Sequence, residues 1–71
     1  MYEKINQIIS KYNYVELDKV IGDETFFTIV FYGISIPFTM IKEIIDELAP
    51  KYTHKGGEVL NGKVLCSFKR N

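Results

Sequence analysis

Tryptophan is missing from this 71-residue chain, and cysteine and histidine occur once each. One cysteine excludes an internal disulfide, and without a Cys/His cluster a structural metal has no ligand set. The usual supports of a small domain are therefore absent, which leaves oligomerisation as the remaining common one. Neither sign of charge prevails: nine Lys and Arg balance nine Asp and Glu. A dedicated nucleic-acid domain carries a clear positive excess, and this chain has none. No apolar run approaches the roughly 20 residues of a membrane span. The first residues, Met1 to Asn6, lack the apolar core of a signal peptide. The expectation is one soluble, cytoplasmic domain over 1–71 with no membrane partner. Alanine and arginine occur once each while Ile, Lys, Asn, Tyr and Phe abound, the bias of an AT-rich microbial or viral genome.

The most apolar stretch is Thr25-Phe26-Phe27-Thr28-Ile29-Val30-Phe31-Tyr32. Aromatic and β-branched residues fill it, and its length suits a strand rather than a helix. It reads as an inner strand that the rest of the chain covers or pairs with. Ahead of it, Ile5, Ile8, Ile9 and Tyr12 share one helical face, which predicts a helix over 2–12. Asn13 is the expected terminator, in the left-handed conformation. Residues 14–21 follow as a half-wet strand, with Val15, Leu17 and Ile21 on one face and Glu16 and Asp18 on the other. Gly22-Asp23-Glu24 turns the chain into the central strand.

A second helix is predicted over 37–49. Pro37 suits its first turn, Ser35 or Thr39 could cap it, and Ile41, Ile44, Ile45 and Leu48 repeat the apolar stripe. The segments 52–60 and 63–69 flank Asn61-Gly62, the strongest short hairpin signal. A two-residue loop pairs Leu60 with Lys63 and Val59 with Val64. That register sets Val59, Val64, Cys66 and Phe68 on one face. Gly56-Gly57 marks a bulge or a close backbone approach. Cys66 reads as a small buried hydrophobe.

The order α-β-β-α-β-β predicts an α+β two-layer sandwich, with two helices on one face of a four-stranded sheet. Placing the fourth strand beside the second, and parallel to it, gives the order 3-4-2-1. The apolar strands then take the middle and the polar ones the edges, where charge and glycine discourage stray pairing. The opposite order would bury Glu16, Asp18 and His54. The preferred arrangement resembles a ferredoxin-like sheet, circularly permuted so that its first strand stands last.

Catalytic signals are weak. His54 lies between Lys51 and Lys55 on an expected edge strand and reads as exposed and inert. The spacing of a phosphate loop is absent, and Glu43, Asp46 and Glu47 read as a solvated helix face. No enzyme, cofactor or metal is expected. Charge is polarised along the chain. Residues 1–50 set Lys4, Lys11, Lys19 and Lys42 against eight acids, and residues 51–71 set Lys51, Lys55, Lys63, Lys69 and Arg70 against Glu58. The two ends are expected to face each other, within one fold or across a subunit contact. The alternative is that these five basic residues meet nucleic acid.

The strongest functional signal is geometric. The central strand is apolar on both faces, and the helices suffice for one. Phe26, Val30, Tyr32 and Leu65 are therefore expected on an uncovered face, which predicts homodimerisation or a protein partner. Small domains of this kind from AT-rich microbes or their viruses act as adaptors or inhibitors of another protein; that step is analogy.

Overall fold

The computed structural model describes residues 2–33 and 35–71. The elements run α1 (Tyr2–Ser10), β1 (Glu16–Gly22), β2 (Phe26–Tyr32), α2 (Phe38–Leu48), β3 (Tyr52–Leu60) and β4 (Lys63–Arg70). The strands form one sheet in the order β1-β2-β4-β3. That is the predicted order, with the most apolar strands inside and the polar ones at the edges. The resemblance to a permuted ferredoxin-like sheet holds at the level of strand order.

The direction of the central pair differs from expectation. β2 and β4 are antiparallel, as are the two hairpins. The crossover through α2 brings β3 back parallel to β2, and the Asn61-Gly62 turn then reverses the chain. A strand in the slot between β2 and β3 must oppose both.

The hairpin turn follows its sequence signal. Asn61 and Gly62 sit at φ 53° and 73°, the positive values that a two-residue turn requires. Leu60 pairs with Lys63 and Val59 with Val64. The other hairpin turns at Gly22, whose φ is 111°. A Cβ there would lie 2.3 Å from the Phe26 carbonyl oxygen, so only glycine fits. Asp23 fixes the same turn, its Oδ1 accepting from the Thr25 and Phe26 amides at 2.8 and 3.1 Å.

The core lies between the helices and one face of the sheet. Ile5 and Ile9 of α1 and Met40, Ile44 and Leu48 of α2 meet Phe27, Ile29, Phe31, Cys66 and Phe68. Phe27 stacks on Phe68 at 5.5 Å and meets the edge of Tyr52 at 5.2 Å. The stripe of α2 is centred one residue earlier than the sequence suggests. Met40, Ile44 and Leu48 are buried, while Ile41 and Ile45 flank them half-buried. Ion pairs tie the helices together, Lys4 to Glu47 at 3.1 Å and Lys11 to Glu43. Glu43 also accepts from the Tyr12 hydroxyl, so this part of the acidic helix face is not simply solvated.

Helix ends depart from expectation. Neither Ser35 nor Thr39 caps α2; Pro37 is its N-cap residue, with no side-chain cap bond. Asn13 does not take the left-handed conformation, which Asn61 alone adopts among the described non-glycine residues. Instead α1 closes by tighter bonds, the Lys11 and Tyr12 amides donating to the Ile8 and Ile9 carbonyls.

Candidate protein-contact face

Strand pairing decides what the helix-free face presents. Phe27, Ile29 and Phe31 point to the core, so Phe26, Thr28, Val30 and Tyr32 point away. The pairings carry this assignment across the sheet in four rows. Leu60, Lys63, Tyr32 and Glu16 form the row nearest the Asn61-Gly62 turn. Glu58, Leu65, Val30 and Lys19 form the next. Gly56, Ser67, Thr28 and Ile21 follow, and Thr53, Lys69 and Phe26 close the far end.

The predicted set of Phe26, Val30, Tyr32 and Leu65 is thus brought together on one surface. Phe26 is 46% exposed and Tyr32 45%. Leu65 is half-buried. Val30 is 3% exposed although no helix covers it. Ile21 and Leu60 also stand exposed here, and sequence reasoning did not place them.

Ile21 arrives through a β-bulge. The pairing of β1 with β2 shifts between Leu17 and Lys19. One extra residue reverses the sidedness of everything beyond it. Val20 therefore packs against the core, and Ile21 turns to the open face, against the expected set of Val15, Leu17 and Ile21. A second bulge lies between His54 and Gly56, at the glycines that suggested one. It turns His54 toward the core side, against the expectation of an exposed ring. The imidazole lies 5.2 Å from the Phe68 ring, and its buried Nε2 has no partner among the described residues.

The open face is not bare hydrocarbon. Lys63 Nζ donates to Asp18 Oδ2 at 2.8 Å, so a β4 side chain reaches over β2 to β1. The same ammonium stands 5.1 Å from the Tyr32 ring centroid, within cation–π range. The hydrogen bond from Lys63, and then one from Tyr32, hold the Asp18 carboxyl below the usual carboxylate range. Asp18 in turn raises the Tyr32 hydroxyl and the Lys63 ammonium. Between Ser67 and Thr28 a hydroxyl pair at 2.9 Å links the two central strands.

Of the five basic residues of the C-terminal hairpin, Lys51, Lys55, Lys69 and Arg70 lie toward one end of β3 and β4, and Lys63 lies at the other. Lys63 pairs with Asp18 at one end of β4, and Arg70 lies 3.9 Å from Glu24 at the other. Lys69 faces the open side, while Lys51 and Lys55 lie on or beside the edge strand β3. Both of these ion pairs join the acidic part of the chain to the basic part, within one fold.

Elsewhere, a cleft of about 540 Å³ opens among Lys4, Glu24, Glu47, Pro50 and Arg70. Its acids are engaged by Lys4 and Arg70. Among the described residues no group of three His, Cys, Asp or Glu is placed to hold a metal. Cys66 is buried, and burial raises its thiol pKa, opposite to what a reactive cysteine needs. No described helix is long and apolar enough to cross a membrane. The chain matches no protein-family model, and no curated protein or solved structure is significantly similar to it.

Proposed function

We propose that the protein is a non-enzymatic interaction module that homodimerises or takes a protein partner through the open face of its sheet. The observation that carries this reading is the exposure of Phe26, Tyr32, Ile21 and Leu60 on the one sheet face that the helices leave uncovered. Clustered apolar side chains rimmed by charge mark contact surfaces. Aromatic residues are favoured at such contacts because they bury large area with little rotamer entropy. Such a module works by occupying or bridging another protein, as an adaptor or an inhibitor does.

Sedimentation velocity at micromolar concentration tests the reading on the chain and on Leu65→Glu. Association that weakens with the Leu65 change supports it. Association that is indifferent to Leu65→Glu and to Phe26→Glu places the contact elsewhere and rejects it. The balanced charge of the chain and the pairing of Lys63 and Arg70 with acids give nucleic-acid binding less support. Steeply salt-dependent affinity for DNA or RNA would restore that alternative.

A further inference from the structure

We infer that the occupant of the open face is a second copy of the chain, docked about a two-fold axis parallel to the strands. The inference rests on the reading of this face as a protein contact and adds the partner and its orientation. The second row runs Glu58, Leu65, Val30, Lys19 from edge to edge. It reads acid, apolar, apolar, base. An axis along the strands reverses that row in the second copy. Lys19 then lies over Glu58 of the second copy, Val30 over its Leu65, and the same two contacts recur by symmetry. An isologous interface demands such self-complementarity.

The third and last rows agree, while the first sets Tyr32 over Lys63 of the second copy and Glu16 over its Leu60. The third row runs Gly56, Ser67, Thr28, Ile21, so the exposed Ile21 side chain meets Gly56 of the second copy, where no side chain stands. In the last row the Phe26 ring meets the Lys69 ammonium of the second copy, a cation–π pair. An axis across the strands does worse. It sets Tyr32 on Phe26 but lays Val30 and Leu65 on Thr28 and Ser67, and the Lys69 ammonium on that of Lys63.

Within one copy Lys19 and Glu58 stand on opposite edge strands, three strand spacings or about 14 Å apart. Both are exposed, and neither joins an ion pair among the described residues. Facing sheets lie about 10 Å apart, a gap that a lysine and a glutamate close together. Four strands about 4.8 Å apart and seven residues long cover roughly 450 Å² in projection. The side chains enlarge that as accessible area, so two copies bury on the order of 1,000 Å² or more, the lower bound of a specific interface.

Charge reversal tests the partner and the orientation together. Lys19→Glu and Glu58→Lys each turn two attractive contacts repulsive, and each is expected to raise the dimer Kd about tenfold or more. Mixing the two single variants restores association, because each supplies the charge the other needs. The double variant restores it within one species. Far-ultraviolet circular dichroism confirms that each variant is folded. A chain that stays monomeric at every concentration overturns the second copy while leaving the face open to a different protein. A dimer lost with Leu65→Glu but indifferent to both charge reversals overturns the orientation. A dimer that survives Leu65→Glu and Phe26→Glu overturns this inference and the reading beneath it.

Discussion

Lys63 and Asp18 are 45 residues apart in sequence, and their charged atoms meet at 2.8 Å across the width of β2. Asp18 stands at the bulge between Leu17 and Lys19 on β1. The contact fastens the edge strand β1 to the inner strand β4, which β1 does not hydrogen-bond through its backbone.

A dependence of stability on pH follows from that pair. The Asp18 carboxyl is lowered in the folded chain, first by the Lys63 hydrogen bond. Its contribution is present above the ordinary aspartate value of about 3.9 and is lost as pH falls through the lower folded value. The Lys63 and Tyr32 groups are raised, first by their hydrogen bonds to Asp18. Their contributions are complete below about pH 10 and fade as pH rises through the folded values. Urea midpoints of the native chain and Asp18→Asn are expected to differ most near neutrality and to converge at both extremes. A constant gap from pH 2 to pH 12 contradicts this.

Gly22→Ala is expected to destabilise the fold by roughly 2–3 kcal/mol, from positive φ and backbone collision together. The added Cβ meets the Phe26 carbonyl oxygen and the Phe27 Cα at 2.3 and 2.8 Å. The same change at Gly57, where the nearest contact is 3.4 Å, is expected to cost less. Equal urea midpoints for the two variants would contradict the assignment.

In the core, Phe27 is fully buried between Phe68 and Tyr52. Phe27→Ala is expected to cost about 3–5 kcal/mol, a large share of the stability of a domain this small. Tyr52→Phe removes only the 2.8 Å hydrogen bond to the Glu24 carbonyl, and about 1 kcal/mol is expected. Thermal melting of both variants checks the order, which a larger loss in Tyr52→Phe would reverse.

The parts of the fold legible in the sequence are those with a local physical signal. Asn61-Gly62 announces its turn because few residue pairs accept two positive φ angles, and the turn then fixes the register of β3 with β4. The Ile stripes announce the helices, and the contrast between Phe27 and Glu16 surroundings announces which strands lie inside. From there Phe26, Val30, Tyr32 and Leu65 could be gathered on one face. Bulges are less legible, because one extra residue leaves alternation intact on both sides of it. The bulge at Asp18 carries no glycine, so the exchange of Val20 for Ile21 was hidden. The one beside Lys55 was signalled by Gly56-Gly57, yet its effect on His54 depends on which residue is extra. Contacts such as Lys63 with Asp18 depend on long side chains crossing a strand, which no spacing encodes. The antiparallel sense of β2 and β4 follows only from the crossover and the hairpin taken together, and the apolar character of the middle pair alone carries no direction.

The uncovered sheet face is the centre of the account, and its solvent exposure across a dilution series tests it most directly. A soluble paramagnetic probe reports how closely solvent approaches the Leu65 methyls and the Phe26 and Tyr32 rings. These groups are expected to be shielded at high concentration and to become accessible on dilution, while exposed Phe38, on α2, stays accessible throughout. Equal accessibility of the open face at every concentration, in a chain that remains soluble, would contradict the account.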